Sequence, residues 1–158
     1  MLKTLCDFLD GHNIRYLSMR HSLAYTAQEI AAAAHVHGKE FAKTVIVRID
    51  GELAMAVLPA TEKLDPDLLA AAVQAGEVAL AGEDEFQGRF PKCEPGAMPP
   101  FGNLFDMKVY AEEKLAANET ITFNAGSHTE LIQMSFRDYR DLVQPEIVRL
   151  SKSYANEG

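Results

Sequence analysis

Apolar and polar residues alternate along this chain with two periods, which predict short helices and strands in mixed order. Over residues 2–12, Leu2, Leu5, Phe8 and Leu9 recur at helical spacing and predict a helix with one apolar stripe. Further helices are predicted at residues 26–34, 65–75, 83–86 and 136–143, and strands at 14–19, 43–49, 52–58, 78–80, 103–110, 120–124 and 130–134. This order predicts an α+β fold in which helices partly cover a mixed central sheet.

Turn and cap residues set several of these boundaries. Asp50-Gly51 separates two apolar strands and is the strongest hairpin signal, because both residues tolerate the positive φ of a tight turn. Asp65 is a predicted N-cap and is followed by a proline at the first helical position. Thr26 and Ser135 each precede an acidic residue by three positions, which is capping-box spacing. Prolines and glycines concentrated in residues 92–102 predict a loop.

The composition predicts one globular domain over residues 1–158, with a polar, frayed tail from about Ser151. No apolar run approaches the roughly 20 residues of a membrane span. Asp7 comes too early for a secretory signal peptide. The sequence therefore predicts a cytoplasmic protein without a membrane partner, in which Cys6 and Cys93 are free thiols.

The net charge of −8 restricts the possible partners. Proteins that hold long nucleic acids do so through clustered lysines and arginines, and this chain has no basic run. DNA is therefore not an expected partner. A small polar substrate, or only the tip of a nucleic acid, remains compatible with this charge.

Lys43 is the most informative single residue, because it opens the strand predicted at 43–49. A lysine there can serve as an ordinary charge that keeps a strand edge soluble, which is the commoner case on spacing alone. It can also be the cation of a site if two later segments converge on it. These are the loop 96–102, stiffened by prolines, and the polar turn 124–128.

Other chemistries find less support. His35 and His37 form the closest histidine pair but have no nearby carboxylate or cysteine ligand beyond Glu40, so no metal is predicted. Cys93 with His128 could form a thiol–imidazole pair, although nothing local indicates a lowered thiol pKa. The chain has no Gly-x-Ser-x-Gly elbow, and the loop 96–102 lacks the spacing and the following Lys-Ser/Thr of a phosphate-binding loop.

Four segments together resemble the YbaK/prolyl-tRNA synthetase-associated domain family, the free-standing aminoacyl-tRNA deacylases that edit in trans. The matching segments are residues 21–29, 41–45, 96–102 and 126–128, and the resemblance extends from about residue 3 to 148. The Phe-x-Lys-Thr strand start at Phe41 and the later Gly-x-x-x-Pro-x-Gly loop from Gly96 are its most specific parts.

The resemblance implies hydrolysis of the ester that joins a wrongly attached small amino acid to tRNA. It implies no metal, no cofactor and no covalent enzyme nucleophile, and it implies the acceptor end of aminoacyl-tRNA, with a synthetase as a further partner. Lys43 corresponds to the family's functional lysine, and His128 to a third, variable site position. The implied substrate-binding residues are Tyr25, Thr26, Gly96, Pro100, Phe101, Gly102 and Ser127.

Two alternatives stay open from the sequence. One is a catalytically silent module that binds an aminoacyl or adenosine end for a partner protein. The other is a hydrolase that uses Cys93 and His128. If the deacylase interpretation is right, Lys43 faces a cleft shared with the loop 96–102 and His128.

Overall fold

The computed structural model describes residues 2–20 and 40–153. The helix predicted at 26–34, Tyr25, Thr26 and the pair His35 and His37 lie outside the described residues. The described helices are α1 (Lys3–Gly11), α2 (Pro66–Val73), α3 (Glu83–Phe86), α4 (Glu113–Ala116) and α5 (Phe136–Val143). The strands are β1 (Tyr16–Arg20), β2 (Ala42–Ile49), β3 (Glu52–Pro59), β4 (Glu62–Leu64), β5 (Val78–Leu80), β6 (Lys108–Glu112), β7 (Thr120–Asn124), β8 (Glu130–Ser135), β9 (Glu146–Val148) and β10 (Ser151–Ser153).

The strands form two main sheets. A mixed sheet has the order β5-β2-β3-β6-β9, and an antiparallel sheet has the order β1-β8-β7, while β4 and β10 form a separate pair. β2 and β3 are the predicted hairpin, with positive φ at both Asp50 and Gly51. A parallel bridge between Phe41 and Thr122 links the start of β2 to β7. These observations confirm the α+β prediction with a mixed central sheet.

Two buried clusters occupy the two faces of the mixed sheet. Ile46 belongs to the larger cluster and Val47 to the smaller one, because successive strand residues point to opposite faces. The larger cluster also takes residues from α1, α5, the antiparallel sheet and the loop 96–102. Leu69 of α2 is wholly buried in the smaller cluster. None of the helices in the described ranges is long and apolar enough to cross a membrane.

The predicted caps are confirmed for two helices. The Asp65 carboxylate accepts hydrogen bonds from the backbone N–H groups of Asp67 and Leu68, at 3.0 and 3.2 Å. The Ser135 hydroxyl accepts one from the N–H of Asp138 at 3.2 Å. Both side chains satisfy donors that the first helical turn leaves without an internal partner.

The strand prediction for residues 103–110 is wrong in its first half. Residues Gly102–Leu104 form a 3₁₀ turn instead, and β6 begins only at Lys108. The N–H groups of Phe105 and Met107 both donate to the carbonyl of Gly102 at 2.9 Å. These local hydrogen bonds take the place of pairing with a neighbouring strand.

The frayed tail predicted from about Ser151 is also wrong for residues 151–153, which form β10. The buried carboxylate of Glu112 accepts hydrogen bonds from the N–H groups of Leu150 and Ser151, at 3.0 and 3.1 Å. The Ser151 hydroxyl donates to Glu62 at 2.7 Å. Polar residues therefore hold this segment in place, and the apolar pattern does not reveal them.

Candidate active site

Lys43 lies near the start of β2, opposite Leu58 of β3, and is half-buried. β2 is an interior strand, since it pairs with β3 along its length, with β5 at its far end and with β7 at the Phe41 bridge. A lysine in this position is not an ordinary edge charge. Its face of the strand is the one that carries Phe41 and Val45, because alternate residues share a face.

β7 runs beside the start of β2 in the same direction. The N–H of Thr122 donates to the carbonyl of Glu40 at 2.9 Å, and Phe41 lies opposite Thr122. Lys43 and Asn124 each lie two residues further along their strands, on the same face as that pair. The end of β7 therefore leads the chain past Lys43 into the turn 125–128.

Backbone hydrogen bonds join the turn to the loop 96–102 and the residues before it. The N–H of Gly126 donates to the carbonyl of Ala97 at 2.9 Å, and the N–H of Glu94 donates to the carbonyl of Gly126 at 2.8 Å. Gly126 has φ +97°, and a Cβ there would lie 3.1 Å from the Cβ of Leu2. A larger residue would have a strained backbone and would be crowded by Leu2, which directly precedes α1.

His128 contacts the same junction between the turn and the loop. Its Nε2 lies 2.6 Å from the carbonyl oxygen of Pro95. A carbonyl can only accept, so Nε2 carries the proton and Nδ1 is the nitrogen left to accept one. Gly96 has φ +82°, and a Cβ there would lie 3.3 Å from Cε1 of the imidazole. The close approach of loop and ring thus depends on this glycine.

The second half of the loop is anchored in the core. The Phe101 ring is wholly buried, and its neighbours include the rings of Phe123 and Tyr139. The Tyr139 hydroxyl donates to the carbonyl of Pro100 at 2.8 Å. At Gly102, a Cβ would lie 2.3 Å from the carbonyl oxygen of Met107, so no other residue fits this backbone. These contacts anchor residues 100–102 of the loop to the hydrophobic core.

Ser127 is engaged within its own turn. Its hydroxyl oxygen accepts from the N–H of Thr129 at 3.2 Å and lies 3.1 Å from the Thr129 hydroxyl. The side chain is half-buried. This local pair is typical of Ser and Thr turns and shapes the bend before β8.

Cys93 does not have the surroundings of a nucleophile. Burial raises the pKa of its thiol, which disfavours the thiolate at neutral pH. The Nε2 atom of His128 is meanwhile bonded to the Pro95 carbonyl. Nothing in this arrangement favours a hydrolase that uses Cys93 and His128.

The structure therefore brings the loop 96–102, the turn 125–128 and His128 together beside the end of β7, with Lys43 on the neighbouring strand. The predicted roles of these residues, like those of Tyr25 and Thr26, stay predictions. Asn124 was predicted only as part of the polar turn and Thr122 was not singled out, and their side-chain oxygens Oδ1 and Oγ1 are buried. Their signal was the alternation of polar residues with Ile121 and Phe123, which gives β7 one polar face.

The family described as "Aminoacyl-tRNA editing domain" matches residues 21–142. A relative named multifunctional Ser/Thr-tRNA deacylase ProXp-y, from Escherichia coli strain K12, is 28% identical over 120 residues, which cover 71% of this chain and 70% of the relative.

Solved structures share the fold at lower identity. A crystal structure of a hypothetical protein superposes with a TM-score of 0.82 at 18% identity, over 95% of this chain and 100% of that one. The structure of a candidate trans-editing enzyme for prolyl tRNA synthetase gives a TM-score of 0.80 at 14% identity, over 97% and 99%.

Proposed function

The chain belongs to the aminoacyl-tRNA editing domain family and is an aminoacyl-tRNA deacylase, and we propose that it acts in trans on tRNA that carries a small amino acid. The observation that carries this conclusion is the family match, which spans residues 21–142. The proposal further holds that water is the nucleophile, that no metal takes part and that the reaction occurs in the cytoplasm. A synthetase that releases the mischarged tRNA would be the partner that supplies the substrate.

The proposed chemistry follows from the ester. Water attacks the carbonyl carbon, and negative charge builds on the carbonyl oxygen as the tetrahedral intermediate forms. The C–O bond to the ribose then breaks, the ribose oxygen takes up one proton of the attacking water to become a hydroxyl, and the amino acid leaves as its carboxylate while the second proton passes to solvent. A cation held in place at the developing oxyanion stabilises the transition state, and a single such donor is worth about 3–4 kcal/mol.

We assign this cation to Lys43. It lies half-buried on an interior strand, where part of the surrounding water is excluded and its charge acts more strongly than at the surface. The backbone of residues 96–102 would hold the terminal ribose and the attacking water, and Gly96, Pro100 and Gly102 give the loop the shape and stiffness for that task.

His128 would position the substrate or relay a proton. Its Nε2–H is fixed by the Pro95 carbonyl, so the ring is oriented and Nδ1 is available to accept a proton from water. Ser127, Tyr25, Thr26 and Phe101 complete the proposed substrate-binding set. Since the Phe101 ring is buried in the core, its contact with substrate would come from the backbone.

The deciding experiment measures turnover of a panel of mischarged tRNAs by catalytic amounts of the purified protein. Lys43→Ala and Lys43→Met should lower kcat/KM by about 100-fold or more, because they remove the proposed oxyanion donor. Lys92→Met, which removes an exposed lysine close to the loop, is the matched control and should retain full activity.

Two results would contradict the proposal at different levels. Normal rates in folded Lys43 variants would show that this residue is not the oxyanion donor. Binding of aminoacyl-tRNA without turnover by the unmodified protein would indicate a silent binding module instead of an enzyme.

A further inference from the structure

Two oxygens on β7 are buried without hydrogen bonds. Thr122 Oγ1 and Asn124 Oδ1 are shielded from solvent and have no hydrogen-bond partner among the residues that the structure describes. The Thr122 side chain is wholly buried. Native proteins pair nearly all such groups, because an unpaired one has lost its water without compensation. Each exception calls for an explanation, and a ligand that completes the hydrogen bonds is one.

Both oxygens lie on the same face of β7, next to a small apolar cluster. Thr122 and Asn124 are two residues apart, while Phe123 between them points into the larger core cluster. Phe41 lies opposite Thr122, and Leu131 lies opposite Asn124. Phe41 and Leu131 form a small buried cluster of their own. Gln133 of β8 lies opposite Thr122, so the two oxygens have both apolar and polar neighbours.

This face of β7 lies next to the start of β2, which carries the proposed reaction site. Lys43 follows Phe41 on the same face of β2, at the level of Asn124. The turn that carries His128 begins directly after Asn124. A small amino acid whose ester carbonyl is near Lys43 would therefore have its side chain close to this part of β7.

We propose that Thr122 and Asn124 bind the side-chain hydroxyl of the amino acid on tRNA, so that the enzyme selects serine and threonine over alanine. This inference rests on the proposed deacylase function. A hydroxyl fits both oxygens at once, since it can donate to Asn124 Oδ1 and accept from the Thr122 hydroxyl.

The α-ammonium group is a poorer candidate for this pair. It is positively charged, and so is Lys43 on the same face, so the two would repel each other in a partly desolvated site. The ammonium group is also common to alanine, serine and threonine and could not distinguish them. A neutral hydroxyl avoids the repulsion and gives the pair a role in selectivity.

The experiment compares kcat/KM for Ser-tRNA, Thr-tRNA and Ala-tRNA. Sites built to bind a substrate hydroxyl reject analogues that lack it, because their own polar groups are then left unpaired. We expect the unmodified protein to favour Ser-tRNA over Ala-tRNA by about 100-fold or more. This measurement needs no variant, and nearly equal rates on the two substrates would overturn the inference.

Apolar variants then identify the residues responsible. Thr122→Val and Asn124→Leu keep the size of each side chain, and together they should lower the Ser-to-Ala ratio of kcat/KM by about 30-fold or more. Thr120→Val is the matched control. It lies on the same face of β7, but its hydroxyl already donates to Glu40 at 2.8 Å, so the ratio should not change.

Thermal unfolding supplies an independent reading. Removing a buried oxygen that has no partner should leave the melting temperature of Thr122→Val unchanged or raised, whereas a structural hydrogen bond would make it fall. A lower melting temperature with an unchanged Ser-to-Ala ratio would assign these oxygens to the fold and refute the inference. If the unmodified protein hydrolyses none of the three substrates, the proposed function itself fails, and this selectivity fails with it.

Discussion

At the scale of single residues, the site depends on backbone shapes that only particular residues allow. Gly96 and Gly126 both have positive φ, which side chains other than glycine adopt at a cost of roughly 1–2 kcal/mol. Each also lies close to a neighbour, His128 for Gly96 and Leu2 for Gly126. The sequence marks these glycines as loop residues. It does not show that the two loops meet, because that contact joins positions some 30 residues apart.

Cys93 provides a test of mechanism at this scale. Its pKa is raised by burial, so the thiolate is scarcer at pH 7 than in an ordinary cysteine and becomes abundant only at more alkaline pH. We expect Cys93→Ser to retain at least about half of the kcat/KM on a mischarged tRNA, because the proposed nucleophile is water and not the thiol.

The control for Cys93→Ser is thermal unfolding, which verifies that the variant is folded at the assay temperature. A folded Cys93→Ser protein that has lost more than about 90% of its activity would support the thiol mechanism. Alkylation by iodoacetamide adds a second measurement. The thiol should react slowly at pH 7 and faster as the pH rises toward its raised pKa.

At the scale of elements, the loop 96–102 is held by α5 through one hydrogen bond. Tyr139→Phe removes the hydroxyl that donates to the buried Pro100 carbonyl and leaves that oxygen without its partner. We expect a loss of about 1–3 kcal/mol in the free energy of unfolding. In a chain of this size, each kcal/mol lowers the melting temperature by about 2–4 °C.

Tyr16→Phe is the matched control for this substitution. It removes a Tyr hydroxyl that donates to Asp10 at 2.9 Å in an exposed position, where the lost hydrogen bond is replaced by water. Since the loop is proposed to hold the substrate, Tyr139→Phe should also lower kcat/KM at temperatures where both variants are folded. Equal melting temperatures for the two variants would contradict the anchoring role.

Some of these elements could be predicted from local sequence signals, and others could not. The hairpin of β2 and β3 was predictable, because Asp50-Gly51 supplies the positive φ that a tight turn needs, and the cap at Asp65 is equally local. The turn Gly102–Leu104 was not predictable, because the same sequence also suits a strand. The hydrogen bonds to the Gly102 carbonyl favour the turn instead.

The same limit applies to the chain end and to the site. β10 forms because the Glu112 carboxylate, from β6, accepts backbone N–H groups of residues 150 and 151. Because residue 112 is far from residues 150 and 151 in the sequence, no local pattern can predict this contact. Lys43 could be identified as a site residue only because the segments around it match a family motif. Its place on an interior strand, beside β7, depends on strand pairing that the sequence does not specify.

At the scale of the whole molecule, charge determines how the substrate can be held. The chain carries a net charge of −8, and several of its cations are committed to its own carboxylates. Arg48 lies 2.8 Å from Glu85, and Lys114 lies 2.7 Å from Glu62. Such pairs leave fewer positive groups for phosphates. A protein of this kind is suited to contact the acceptor end of tRNA and little of its body.

Salt titration of tRNA binding tests this interpretation. Each phosphate contact with single-stranded nucleic acid contributes about −0.7 to the slope of log affinity against log salt concentration. With two or three contacts at the acceptor end, we expect a slope of about −2 or shallower. A minihelix that contains only the acceptor stem is the matched control. Full-length tRNA should give the same slope as the minihelix, and a markedly steeper one would show that the protein also binds the tRNA body.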